Sequence, residues 1–323
     1  MTRPAMTDNL RGSMLMMGSM AAFSFNDATI KFLALGLPTF QIVFLRGIGA
    51  MLLIAFLAHV TGALRRPIPR ADMPLVIGRS IAEVVSFYPF VLALTHMPLA
   101  NVTAILQVLP LTITAASAIF FGERVGWRRW MAIAVGFVGV LLVVRPGGAD
   151  FDGWSLVALS AMLTITARDL ITRRLSPDVP SLKVAIFTAT GVMLLGLALT
   201  LFEDWGPVDA RRGGLVLAAA TFIFFGYLFS IMAMRVGEVA AVTPFRYTAL
   251  VWGLMLGWAV FDEWPKPLTL IGATLIAGTG LYTLWREGGT APAPRPAGPP
   301  AIPDRPSGSP GTGTARPTDV PQP

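Results

Sequence analysis

Seven charged side chains stand inside otherwise apolar runs of this chain: Asp27, Lys31, Arg46, Glu83, Arg168, Asp169 and Arg246. Asn26, Gln107 and Tyr247 add uncharged polarity in the same runs. An ionised group at bilayer depth costs about 2.5–3.5 kcal/mol on insertion scales, so each needs a partner, a proton or water. Arginine stays charged and grips carboxylates through a planar fork of donors, which makes Arg46 and Arg246 candidates to hold a solute. Asp27 is a candidate to meet an amine or to carry a coupling proton. Asn26, Gln107 and Tyr247 complete the candidate solute-binding set. Glu83 lies about nine residues into its apolar run, near mid-bilayer at about 1.5 Å per residue. It is the first candidate for proton coupling, with Arg79 one turn away as an ion partner.

Each of these residues also has a structural reading. Asp27 and Lys31 are four apart and share a helix face, so they either pair with each other or face a wet cavity. Lys31, Arg79, Glu123, Arg168, Asp169 and Glu263 are candidate gates or structural ion pairs. Arg168 and Asp169 fall within two turns of Arg173 and Arg174, which suits an interfacial position reached by snorkelling. Glu123 and Glu263 each end an apolar run, with Arg124 and Lys266 as expected partners. His59 and His96 fall at run ends and suit surface positions.

The elements that must position these groups are membrane helices. The chain has 323 residues, 54% hydrophobic and only 13% charged, against about 25% charged in a soluble domain. Ten runs are long enough to span a bilayer core of about 30 Å: 12–34, 39–61, 74–95, 99–121, 129–145, 154–173, 182–202, 213–235, 239–261 and 268–285. The lipid bilayer is therefore the first partner. The net charge of +7 does not point to nucleic acid, because the Lys and Arg fall in short loops, where they set topology. With the N-terminus inside, thirteen of them are cytoplasmic. Only Arg145, Arg211, Arg212 and Lys266 lie outside. Both termini are then cytoplasmic. The first run contains Asp27, is too long for a signal peptide and is expected to be retained. Cysteine is absent, which excludes disulfides, thiolate metal sites and thiol nucleophiles.

The halves of the chain are related. At an offset of 140, "ANVTAILQVLPLTITAASAIFFGE" meets "AAVTPFRYTALVWGLMLGWAVFDE", and Glu123 falls on Glu263. An offset of 142 places Asp27 on Asp169 and Lys31 on Arg173. Five helices per copy turn the second copy upside down, a recurrent plan of secondary transporters. The expected organisation is a cytoplasmic N-terminus (1–11), a first repeat (12–147), an inverted second repeat (148–287) and a tail (288–323). The tail is rich in Pro, Gly, Ala, Ser and Thr and is expected to be disordered and cytoplasmic.

The block "MPLANVTAILQVLPLTITAASAIFFGERVGWRRWMAIAVGFVGVLLVVRPG" resembles the EamA-type drug/metabolite transporter superfamily. Pro110, Gly122-Glu123-Arg124, Gly136 and Gly139 carry the pattern. In the second copy Leu250 and Asp262-Glu263-Trp264 depart from it. "NDATIK" and "VTPFRYTALVWGLMLGWAVFDEWP" look most like bacterial members that carry S-adenosylmethionine, and somewhat like riboflavin carriers. The resemblance implies an all-α protein of the bacterial inner membrane, with ten helices around one central cavity opened alternately to each side. It implies a small organic solute; S-adenosylmethionine, riboflavin, an amino acid or a drug are the expected classes. No phosphate-binding Gly-rich loop occurs, so ATP is not an expected partner and energy comes from a gradient, from an exchanged solute or from nothing. No cofactor or metal is expected, and monomer and homodimer both stay open. An intramembrane enzyme or a channel is the rival class: the first would need a nucleophile and base, the second rows of like charge.

Overall fold

The computed structural model describes residues 5–123, 125–147, 153–176 and 178–288. Of the tail expected over 288–323, all but Gly288, which ends the last helix, lies outside them, as does Arg124. Twelve α-helices make up the described residues: α1 (Ala5–Leu33), α2 (Thr39–Val60), α3 (Met73–His96), α4 (Leu99–Leu106), α5 (Leu109–Phe121), α6 (Trp127–Val144), α7 (Trp154–Thr172), α8 (Ser181–Thr200), α9 (Ala210–Val236), α10 (Val239–Val242), α11 (Thr248–Phe261) and α12 (Pro267–Gly288). They form ten membrane spans, because two spans are broken. Eight spans are long and apolar enough to cross a bilayer by length and composition alone. The other two are α1, which carries Asp8, Arg11, Asp27 and Lys31, and the fragmented α10–α11.

The two breaks correct the expectation of continuous helices over 99–121 and 239–261. The fourth span stops at Leu106 and resumes at Leu109, with Pro110 in the first turn of α5. Proline has no N–H to donate and its ring clashes with the preceding turn, so the ladder is cut just before it. The ninth span is cut by a 3₁₀ turn, Thr243–Tyr247, with Pro244 at its start. The offset of 140 places the two breaks at matching positions in the two halves.

The halves interdigitate. α1 packs on α9, α2 on α8, α3 on α7, α4 on α11, and α6 on α12. Exchanging the halves turns the first of these pairings into the third and leaves the others unchanged, which is the contact pattern of an inverted duplication. Small residues permit the close approaches. A side chain at Gly253 of α11 would collide with Thr103 of α4, at 2.8 Å from its hydroxyl. The face formed by Gly253 and Gly257 is thus used inside the bundle.

Both broken spans end alike. Gly122 (φ 67°) closes α5 and Asp262 (φ 55°) closes α11, each in the left-handed conformation of a helix C-cap. The next amide reaches back six residues: Glu263 N–H donates to Gly257 O at 2.9 Å, and Glu123 N–H to Ser117 O at 3.5 Å. Aspartate tolerates this region better than most residues, so the turn survives the change from Gly-Glu to Asp-Glu. In both halves the turn hands a glutamate to the end of the bundle.

The outer surface carries exposed Leu, Ile, Val and Phe along its length, such as Leu52, Phe56, Val138 and Leu163. Exposed Trp127, Trp130, Trp205, Trp264 and Trp285 sit at or near span ends, an interfacial belt. His96 stacks on Trp154 at 3.9 Å between ring centroids, at two such ends.

Candidate solute-binding cavity

A cavity of about 350 Å³ lies between α1, α2, α3, α7, α8, α9 and the 3₁₀ turn of the ninth span. That volume lies within the range of small-molecule sites. Seven residues singled out from sequence line it: Asn26, Asp27, Arg46, Arg79, Glu83, Arg168 and Arg246. They form two groups of different character.

On the α3–α7 wall the charges neutralise one another. Glu83 receives Arg168 at 3.0 Å and Arg79 at 3.3 Å. Arg168 also pairs with Asp169 at 2.7 Å. Arg79 donates in addition to Thr188 Oγ1 on α8. Two guanidiniums and two carboxylates thus form one charge-compensated chain between α3 and α7, tied to α8 through Thr188, with Arg79 Nε and Glu83 Oε2 left without a hydrogen bond. This corrects the interfacial expectation for Arg168 and Asp169: α7 packs on α3, and that packing carries Arg168 inward to Glu83 instead of out to the headgroups.

On the α1–α2 wall and at the 3₁₀ turn the charges stay apart. Arg46 is 5% exposed, and Nη1 donates to Asn26 Oδ1 at 3.0 Å. Its guanidinium lies over the Phe87 ring at 5.5 Å, and Nε has no hydrogen-bond partner. Asp27 accepts, among the described residues, only from Asn26 Nδ2, at 2.9 Å. Among the described residues no carboxylate lies in ion-pair range of Arg46 or Arg246, and no cation within that range of Asp27. Arg246 is exposed into the cavity from the break in the ninth span.

Of the two readings of the Asp27–Lys31 spacing, the internal pair is not formed, and Asp27 lines the cavity. Lys31 Nζ reaches the end of the bundle and pairs with Glu263 Oε1 at 2.6 Å, 232 residues away. Glu263 therefore takes Lys31 as its ion partner, where Lys266 was expected. Glu123 faces Arg173 at 3.6 Å.

Two of the uncharged candidates fall elsewhere. Gln107 lines a side pocket of about 180 Å³ that shares Asp27, Phe90, Leu106 and Arg246 with the main cavity. Its Nε2 donates to Arg246 O at 3.3 Å, so the two broken spans meet at their breaks. Tyr247 leaves the cavity altogether. It is buried in the core beside Ile276 and Leu250, and its hydroxyl occupies the space that a side chain at Gly280 would fill. Neighbouring residues of a helical turn point to different sides, so Arg246 lines the cavity while Tyr247 enters the core.

Tyr227, Phe87, Thr188 and Ser230 also line the cavity and were not among the candidates read from sequence. Uncharged residues in apolar helices carry little insertion cost and so raise no flag. Tyr227 had one weak signal, a phenol in the middle of "FIFFGYLFS".

Comparison with known proteins agrees with this architecture. A pseudopaline exporter of Pseudomonas aeruginosa is 25% identical over 83% of this chain and 94% of its own length. An S-adenosylmethionine uptake transporter of Rickettsia prowazekii is 22% identical over 88% and 95%. A riboflavin transporter of Vibrio cholerae is 25% identical over 85% and 94%. One solved crystal structure superposes at a TM-score of 0.58 with 18% identity, covering 89% of this chain and all of its own, which bears on the fold alone. The model of the EamA-like transporter family matches twice, over residues 10–145 and 153–284. Two matches to one family, one in each half of a duplicated ten-span bundle, mean that the chain belongs to the EamA-like transporter family, as a multi-pass membrane protein that moves small metabolites.

Proposed function

We propose that the solute is a small zwitterion whose carboxylate is held by Arg46 and Arg246 and whose ammonium group meets Asp27. The observation that carries this reading is the pair of arginines without a carboxylate partner in the same cavity as an aspartate without a cation. Arg46 is buried without an anion, which is costly, and a bound zwitterion would complete all three groups at once. The Arg79–Glu83–Arg168–Asp169 chain needs no such completion and serves as the rigid wall against which the solute sits.

We assign the coupling role, where a proton drives transport, to Asp27 rather than Glu83. Asp27 is the carboxylate that no cation holds, whereas Glu83 is clasped by two. Transport rather than catalysis is the activity of the chain. The Lys/Arg bias supports an inner-membrane orientation with both ends in the cytoplasm, which points the Lys31–Glu263 end outward.

Thermal-shift screening of the purified protein tests the solute class, because a ligand of the native state raises Tm by mass action. Amino carboxylates, S-adenosylmethionine among them, are expected to raise it. Their decarboxylated and deaminated analogues are expected to do so much less. Equal shifts from the zwitterions and from either analogue would overturn the assignment, and counterflow in proteoliposomes would then identify what is carried.

A further inference from the structure

The two glutamates delivered by the matching turns make matching ion pairs. Glu263 pairs with Lys31; Glu123 pairs with Arg173. The offsets that relate the halves carry Lys31 onto Arg173 and Glu123 onto Glu263, so each pair is the inverted copy of the other. The two copies are in different states.

The Lys31–Glu263 pair is shut. Its charges are 2.6 Å apart. Lys31 Nζ also donates to Met97 O at 2.5 Å. Glu263 Oε2 accepts from Leu99 N–H at 2.9 Å, at the start of α4. The ammonium lies 5.0 Å from the centre of the Phe261 ring. The pair thereby ties α1, the α3–α4 corner and the end of α11 together. Behind it the same end is filled by fully buried Ile30, Ile42, Val43, Val91 and Leu94.

The Arg173–Glu123 pair is slack. Its charges are 3.6 Å apart and both side chains are about half exposed. Arg173 donates to Ser117 Oγ at 2.8 Å, within the same half of the bundle as Glu123. No bond to the α9–α10 corner, the counterpart of Met97 and Leu99, is made by either side chain among the described residues. The buried apolar packing at this end is divided between two small clusters, one on Val76, Val179 and Val184 and one on Met16, Ala233 and Val242 at the α9–α10 corner.

We infer that Lys31–Glu263 and Arg173–Glu123 are the two latches of one gate, shut in turn, and that this conformation is closed at the Lys31 end. A duplicated bundle whose halves exchange roles has two mirror conformations, and the same contacts must be made at one end and released at the other. Shutting the second latch would bring Arg173 and Glu123 onto the α9–α10 corner and free Lys31 and Glu263 from theirs. Each latch thus biases the same two-state equilibrium in the opposite sense. The inference rests on the chain being a carrier, and not on the identity of its solute.

Hydrogen–deuterium exchange on the full-length protein in nanodiscs tests it without any solute. Glu263→Gln is expected to raise deuterium uptake over residues 30–37 at least fivefold and to lower it over residues 117–123. A rise at the first segment with no change at the second would make the pair a local clamp and overturn the inference. The second arm uses exposed positions, so folding is not at issue, and the chain has no other cysteine. Bridging E123C/E238C, which ties the end of α5 to the α9–α10 corner, with a short reducible bis-methanethiosulfonate cross-linker is expected to raise uptake over residues 30–37, and reductant is expected to restore it. Unchanged uptake at that segment after bridging would sink the two-latch account. A correct exchange pattern with no binding of amino carboxylates would fault the proposed cargo and leave the latches standing.

Discussion

The two walls of the cavity hold similar numbers of charges and use them differently. On the α3–α7 wall Arg79, Glu83, Arg168 and Asp169 are partnered to one another, at 2.7–3.3 Å. On the other side Arg46, Asp27 and Arg246 make no ion pair among the described residues. A sequence scan for charge at bilayer depth marks both groups alike. What separates them is whether the charge is already compensated, and that depends on which helix faces which.

Substitutions can break this contrast. Glu83→Ala should have the largest effect, removing the anion that Arg79 and Arg168 share. Breaking one member of a buried pair costs about 3–5 kcal/mol. The Tm in detergent should fall sharply, and transport with it; an unchanged Tm would mean that the quartet is not structural. Arg246→Ala comes next. It should leave Tm near the parent value and weaken binding of a carboxylate-bearing solute roughly 30-fold or more, the usual penalty for truncating a charge-pair partner. Calorimetric titration reads the change, and wild-type affinity would remove Arg246 from the site. Asp27→Asn should be milder. Affinity for an amino acid should drop about tenfold, in line with a hydrogen bond to a charged group, whereas its deaminated analogue should bind the variant as it binds the parent. If both lose affinity equally, Asp27 does not read the amine. Tyr247→Phe should do least. It removes a buried hydroxyl that has no partner, so stability should move by no more than about 1 kcal/mol and affinity not at all. A loss of affinity there would place Tyr247 back at the cavity.

Much of the fold was legible because the bilayer imposes a strong signal. Ten apolar runs, a Lys/Arg bias and an offset of 140 between copies lead to an inverted bundle with few alternatives. Arg46, Glu83 and Arg246 were visible for the same reason: a charge is costly in such a run wherever it points. The pairing was not legible. Lys31 and Glu263 are 232 residues apart, and nothing local to either says that α1 and α11 end side by side. The spacing of Asp27 and Lys31 made a nearer partner look natural, but Asn26 takes Asp27 and the end of the bundle takes Lys31. Tyr247 failed for a geometric reason, since it is next to Arg246 in the chain and neighbouring residues of a helical turn face different ways. Thr188 and Tyr227 failed for an energetic one, since polarity without charge hardly perturbs an apolar run. Pro110 and Pro244 did announce a weakness in each broken span, although the offset of 140 sets Pro110 on Leu250 and the prolines themselves do not align.

The interleaving of the two five-span copies bears on how the chain must be made. Each span of the first copy has a principal neighbour in the second, so neither copy can complete its own interior. A ribosome that has released only the first five spans has put helices into lipid with their partners still unsynthesised, and the finished bundle must wait for the last of them. If the gene were cut between codons 147 and 153, the two polypeptides should each be degraded when made alone. They should recover one another when made together.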